Sequence, residues 1–437
     1  MACSDNYRAI TLSSIIGKVF DWVILFLEKD HLSTSDMQFG FKEHSSTTQC
    51  TFVMSEVISY YNYNRSDVYV MLLDASKAFD RVNYSVLFRK LLQRNISPAI
   101  LRVLLSLYIN QMLHVRWGTK CSDKFSVQNG VKQGGVLSPV LFLVYVDDLF
   151  LRLQESGIGC KMGDSYAGCL GYADDLSLLA PTKRGLQKLI DICENYAEEH
   201  DILFNGKKSQ FLIFKGRGNL PIDCQVTVNG TSVSNIQKAT HLGHCLSTID
   251  HESCVHEAIA QFWRSFNIFR SDFGHIYSSL QCQLFKHYCC SFYGSPIWSV
   301  LSKGFSDICI AWRRALRKIW KISNRTHCDL VAELSNSVPL EQKLVQIFMR
   351  FHSKALLFGS NLLKSTIRVA CLNPNSTFCS NVKEAECLNA GYSNIDSELQ
   401  YKAQSVRDLV DIRDGVKHCD LFNSTELCEI IDSLCLT

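Results

Sequence analysis

Two adjacent acids set between two apolar runs constrain this chain more than any other stretch: Gly171-Tyr172-Ala173-Asp174-Asp175-Leu176-Ser177-Leu178-Leu179-Ala180. Residues 169–172 read as one strand and 176–180 as a second, so the acids fall in the tight turn of a β-hairpin. Carboxylates held this close raise each other's pKa, and a divalent cation removes the conflict. Mg²⁺ prefers one or two carboxylates together with substrate phosphates. A solvated turn, where Asp is common, is the plainer alternative. A partner lies upstream in Val68-Tyr69-Val70-Met71-Leu72-Leu73-Asp74, apolar without alternation and closed by an acid. That is the pattern of a strand buried on both faces. Laid beside the hairpin, it brings Asp74 to Asp174 and Asp175. Three carboxylates could then hold two metal ions about 4 Å apart, the arrangement that clamps the attacking and leaving oxygens of phosphoryl transfer.

The remainder of the chain bounds the setting. With 437 residues, 47% apolar and 20% charged, it is globular and large enough for two or three cores. A net charge of +3 does not by itself single out nucleic acid, so local patches decide. The 20 cysteines include no C-x-x-C pair and no finger or knuckle spacing. They read as buried thiols in a reducing compartment. The start lacks the charged and apolar regions of a signal peptide, and the longest apolar run, 136–146, contains Pro139 and is too short to span a bilayer. An intracellular protein, not secreted and without a membrane partner, is expected.

In chain order, Ser13 or Ser14 caps a helix whose Ile16, Phe20, Val23 and Ile24 form an apolar stripe, with Arg8 and Lys18 free to contact phosphate or solvent. Gln38-Phe39-Gly40-Phe41 puts a glycine between aromatics, which suits backbone pressed against a nucleobase or an ordinary core. Phe79 follows Asp74 at a distance where its ring can close over a bound sugar or pack inward. Residues 85–94 and 98–108 read as helices. The loop 129–139 carries Gly130, Gly134 and Gly135, lets a ligand approach the backbone, and offers Gln133 and Lys132 as contacts. The helix 140–153 contains a second acidic pair, Asp147-Asp148, read here as exposed acids near a helix C-terminus rather than as metal ligands. A helix over 184–200 turns Leu186, Leu189, Ile190, Cys193, Tyr196 and Ala197 inward. Asn205-Gly206-Lys207-Lys208-Ser209 is a turn in which a lysine can donate a proton to leaving pyrophosphate or simply be solvated. Asn229-Gly230 marks a hairpin. Beyond 251 the pattern is helical. In 308–322, Trp312, Leu316, Ile319 and Trp320 form an apolar stripe, while Arg313, Arg314, Arg317, Lys318 and Lys321 fill the other side with no acid among them. A face of one sign beside aromatics fits a nucleic-acid backbone.

These motifs, in this order, resemble the reverse transcriptase of LINE-type (non-LTR) retrotransposons, the block around Gln133 and Pro139 resembling its jockey-like side. The blocks are Arg8-Ala9-Ile10, Gln38 to Phe41, Leu73 to Asp80, Gln133 to Pro139, Tyr172 to Asp175, Asn205 to Ser209 and His241-Leu242-Gly243. The resemblance implies an α+β fold: a right-hand polymerase with interleaved fingers and palm over 1–245, a helical thumb over 246–330 and a helical extension over 331–437. It implies that Asp74, Asp174 and Asp175 hold two Mg²⁺ ions (Mn²⁺ being an alternative), with Lys208 assisting. It implies that Phe79, Gln133, Gly134 and Arg8 meet the dNTP, and that Gln38, Gly40 and Phe41 meet the template. RNA template, DNA primer or target and dNTPs are the partners implied, with no small-molecule cofactor and with action at nuclear DNA after cytoplasmic synthesis. Ala9 stands where the family usually has proline, and no Cys/His knuckle follows near the C-terminus, so a fragment or decayed copy is expected. The competing expectation is a non-catalytic RNA-binding protein on the same fold. An intron maturase or telomerase is disfavoured by the Asp74–Asp80 and Trp312 blocks.

Overall fold

The apolar run that ends at Asp74 forms an interior strand of a four-stranded antiparallel sheet. The computed structural model describes residues 10–218, 224–250, 252–391 and 397–416, with residues 428, 429, 431, 433 and 435. Its main sheet contains β1 (Val68–Leu73), β2 (Cys169–Tyr172), β3 (Asp175–Ala180) and β4 (Gln210–Phe214), in the spatial order β4-β1-β3-β2. Neighbours lie on both edges of β1 and apolar side chains point to both faces. Val68, Val70 and Met71 are fully buried, which explains why the strand reads without alternation.

Helices cover this sheet. They are α1 (Ile15–Leu27), α2 (Thr47–Tyr63), α3 (Tyr84–Gln93), α4 (Pro98–Ile109), α5 (Ser138–Glu155) and α6 (Lys183–Glu199), and α2, α5 and α6 pack against the strands. Their starts follow from local chemistry: the Ser14, Ser46 and Thr182 hydroxyls and the Asn83 amide oxygen accept from first-turn amides, and Pro98 opens α4. The inward face of α6 is buried as its spacing predicts. That of α1 is not: Ile24 is buried, but Ile16 is 82% and Val23 46% exposed. The stripe shows amphipathic order but cannot reveal what lies opposite it. Strands β5 (Gln225–Val228) and β6 (Thr231–Ser234) form the expected hairpin, with positive φ at both Asn229 and Gly230.

The chain divides into two units: Met1–Leu242 with Phe358–Val369, and Gly243–Leu357 with Ala370–Thr437. Residues 358–369 thus belong to the first unit and the rest of 331–437 to the second. In the first unit, the Asn361 amide donates to Asp36 at 3.1 Å, the Ser365 hydroxyl donates to the Met162 carbonyl at 2.8 Å, and Phe358 stacks on His44 at 4.5 Å. The second unit is helical: α7 (Ser253–Phe273), α8 (Ser278–Tyr288), α9 (Lys303–Trp320), α10 (Cys328–Leu334), α11 (Leu340–Phe358), α12 (Asn361–Leu372, which begins in the first unit), α13 (Thr377–Gly391) and α14 (Ser397–Val416). Phe262, Phe266, Phe269 and Phe285 make its aromatic core, against which Trp312, Leu316, Ile319 and Trp320 of α9 also pack. Among the described residues no helix is long and apolar enough to cross a membrane. The described cysteines are free thiols and most are buried, as read.

Candidate active site

Antiparallel pairing sets the position of the acids. Leu73 pairs with Leu176 across β1 and β3, so the next step of the register puts Asp74 opposite Asp175. Tyr172 pairs with Asp175, leaving Ala173 and Asp174 as a two-residue turn between β2 and β3. The three carboxylates therefore share one end of one sheet. Asp175 is exposed and Asp74 and Asp174 are half-buried. The buried Cys50 thiol of α2 is pushed up first by burial and then by the charge of Asp175. A donor set made only of carboxylate oxygens fits a hard divalent cation. Among the described residues no three acidic or metal-ligating side chains close into a cage.

The strand end is fixed by the 205–209 turn. The Asp74 amide donates to the Ser209 hydroxyl at 3.2 Å, and the Asn205 amide donates to the Asp74 carbonyl at 2.9 Å. Lys208 is exposed on that turn, one residue before the Ser209 that bonds Asp74. Beneath the hairpin, the Ser177 hydroxyl lies 2.9 Å from His241 Nε2 with both groups buried. Ser209, Ser177 and the role of His241 were not read from the sequence; a hydroxyl on a buried strand position was the available signal.

Phe79 lies on the short 3₁₀ turn Ala78–Arg81, half-buried. Its ring stacks on Phe142 at 4.6 Å and meets Phe41 edge-on at 6.2 Å. One side thus packs inward against Phe142 and the other faces the exposed Phe41. The glycine loop is fastened to the same turn: the Val131 amide donates to the Phe79 carbonyl at 2.8 Å and the Gln133 side chain to Asp80 at 3.1 Å. Gly130 fits because a Cβ there would come within 2.8 Å of the Asp80 carbonyl oxygen. The Thr11 amide donates to the Gln133 carbonyl at 2.7 Å, and Gly134 has φ +102 against Thr11. Phe79, Gln133 and Gly134 are thus assembled, whereas Arg8 lies outside the described residues.

Four placements differ from the sequence reading. Gln38 is 2% exposed, and its amide is bonded to the catalytic turn and to Gly40 rather than presented to a template. Gly40 is likewise buried against that turn, while Phe41 is 52% exposed with φ 52. Asp147 and Asp148 lie within α5, not near its end. Asp147 is buried, accepting from the Ser35 amide at 2.7 Å and pairing with Arg94; Asp148 takes Lys90 Nζ at 2.5 Å. Burial lowers both Lys90 and Lys42, against the raising effect of Asp148 on Lys90 and of Asp36 and then Asp147 on Lys42. Both acids of the pair are thus held by cations of neighbouring elements, not presented to solvent as free charges.

The basic face of α9 is also partly internal. Arg313 pairs with Glu341, Lys321 Nζ bonds Asp414 at 3.0 Å, and buried Arg317 donates to the Thr326 carbonyl at 2.6 Å. Arg314, Lys318 and the paired Lys321 are exposed, with Lys318 Nζ 5.2 Å from the Trp263 ring centre. The acids that neutralise α9 come from later helices, where no window on α9 could reveal them.

An acid-tipped central strand beside an Asp-Asp hairpin, with helices backing an antiparallel sheet, is the palm arrangement of a nucleic-acid polymerase. Residues 3–244 match the reverse transcriptase (RNA-dependent DNA polymerase) model, and the chain belongs to that family. It is 26% identical over 400 residues to the RNA-directed DNA polymerase from mobile element jockey of Drosophila melanogaster, covering 84% of this chain and 41% of that protein. It is 27% identical over 220 residues to the Pol polyprotein of retrotransposable element R2 of Popillia japonica, covering 50% and 31%. The chain therefore spans less than half the length of these relatives. Apo telomerase from Candida tropicalis aligns with 14% identity over 89% of this chain and 61% of that one, at a TM-score of 0.42.

Proposed function

We propose that the chain is the polymerase of a non-LTR retrotransposon, extending a DNA primer with dNTPs along an RNA template. The observation that carries this reading is the register that sets Asp74 opposite Asp175, beside the Asp174 turn. These carboxylates would hold Mg²⁺, for which their all-oxygen donor set is suited. Bound there, the cation would supply charge neutralisation at the α-phosphate and lower the pKa of the primer 3′-hydroxyl. The chain's own side chains do the rest. The Phe79 ring, backed by Phe142, would stand against the ribose and exclude a 2′-hydroxyl. Gln133, held by Asp80, and the open backbone at Gly134 would orient the nucleotide. Lys208 would offer a proton to the departing pyrophosphate. Exposed Phe41 would meet the template, and Arg314 and Lys318 of the helical thumb unit would meet phosphates. Intracellular synthesis with action at nuclear DNA goes with this reading.

The test is copying of a heteropolymeric RNA from an annealed DNA primer with the four dNTPs and Mg²⁺. A product complementary to the RNA supports the reading. A folded, RNA-binding protein that makes none overturns it.

A further inference from the structure

The catalytic turn carries a strained residue. Ala173 has φ +59, a conformation that disfavours any side chain with a Cβ. Such strain persists where surrounding contacts over-determine it. Here those contacts come from one side chain far upstream in sequence. Gln38 Oε1 accepts from the Ala173 amide at 3.0 Å, and Gln38 Nε2 donates to the Ala173 carbonyl at 3.3 Å. Both backbone polar groups of the strained residue are thus held by one carboxamide. The same Oε1 accepts from the Gly40 amide at 2.9 Å, which fixes the carboxamide's orientation. Backbone bonds place the clamp: the Phe39 amide donates to the Gly171 carbonyl at 2.7 Å, and the Gly171 amide donates to the Met37 carbonyl at 2.9 Å.

The packing leaves no slack. A Cβ on Gly40 would lie 2.4 Å from the Ala173 nitrogen, and one on Gly171 would lie 2.4 Å from the Phe150 ring. The loop that bears Gln38 is braced from behind, where Lys42 Nζ donates to the Thr34 carbonyl at 2.8 Å and the Ser35 amide donates to Asp147 at 2.7 Å. Gln38 itself is 2% exposed, so water does not compete for its amide.

We infer that Gln38 is a positioning residue for the polymerase site: its carboxamide holds Ala173 in its left-handed conformation and so fixes where Asp174 and Asp175 present their carboxylates to a divalent cation. The inference rests on the polymerase reading for its consequence in synthesis, but not for the clamp itself. Gln38→Met keeps the side chain's length and removes its hydrogen bonds. Gln38→Glu keeps an acceptor for Ala173 and Gly40, replaces the donor to the Ala173 carbonyl and adds an acid at a buried position.

The experiment follows amide hydrogen exchange across the hairpin and binding of Mn²⁺ by paramagnetic resonance, on the full chain and both variants. In Gln38→Met, which removes all three hydrogen bonds, the Ala173 amide exchanges faster and Mn²⁺ affinity falls roughly tenfold. Gln38→Glu keeps the protection of the Ala173 amide. In primer extension, Gln38→Met lowers kcat and raises the Mg²⁺ concentration for half-maximal rate, with KM for dNTP little changed. Unchanged exchange at Ala173 and unchanged Mn²⁺ affinity in Gln38→Met overturn the inference, as does faster exchange without weaker Mn²⁺ binding. If Gln38→Met does not fold, loss of Ala173 protection in Gln38→Glu overturns it equally. A parent that makes no DNA while the exchange and Mn²⁺ differences hold would sink the polymerase reading and leave the clamp standing.

Discussion

Removing the Asp147 carboxylate should cost stability rather than chemistry. Asp147→Ala deletes the acceptor of the Ser35 amide and the partner of Arg94, whose side chains are 8% and 20% exposed for Asp147 and Arg94 respectively. Deleting one member of a buried pair costs about 3–5 kcal/mol, because the other charge is left uncompensated. Arg94 keeps the Ser33 carbonyl at 2.5 Å, which sets the expectation at the lower end, about 3 kcal/mol. With a urea slope of about 3 kcal/mol per molar, the midpoint of the first unit's transition moves down by about 1 M. Urea titration followed by Trp fluorescence and far-UV dichroism reads this shift. Asp147→Ala still extends primer below its midpoint. A midpoint equal to the parent's would refute the argument that this pair is structural. Full folding with no synthesis at all would return Asp147 to the metal site.

Further outcomes follow from the same geometry. Phe79→Val removes the ring stacked on Phe142 and should raise rNTP incorporation at least roughly tenfold relative to dNTP, with a stability cost of about 1 kcal/mol; parallel extension assays with each nucleotide set read it. Replacing both Arg314 and Lys318 with Ala should weaken RNA binding and reduce the slope of log affinity against log salt by roughly 1 to 2, whereas Arg317→Ala should lower the melting temperature of the second unit, since Arg317 holds the Thr326 carbonyl. His244, buried and stacked on Tyr293, is lowered to about 4 by burial. Its folded pKa lies below the unfolded value, so its contribution is whole above pH about 6.5 and is lost as pH falls toward 4, by up to about 3 kcal/mol. Chemical denaturation across that range should show the loss, and His244→Phe should flatten it.

The catalytic hairpin, its partner strand and the inward face of α6 were legible because each depends on local periodicity and on one or two residues of special chemistry. The stripe on α1 was equally regular, yet Ile16 is exposed, because periodicity reports a helix face and not its neighbour. Asp147 and Arg317 were misread for a related reason. A charge looks solvated in sequence until its partner is known, and Arg94 and Thr326 are brought to them only by the fold. Gly40, between two aromatics, was read as backbone under close approach, and what lies against it is the backbone of Ala173, which Gln38 also binds. The glycine on either side of that contact, Gly40 and Gly171, was the signal.

The central claim is that Asp74, Asp174 and Asp175 form the metal-holding end of a polymerase palm. Primer extension on poly(rA) with oligo(dT), dTTP and Mg²⁺ tests it most directly when the parent is compared with folded Asp174→Asn and Asp147→Asn. The account predicts extension by the parent and by Asp147→Asn, and none by Asp174→Asn. Equal extension by the parent and Asp174→Asn would contradict it.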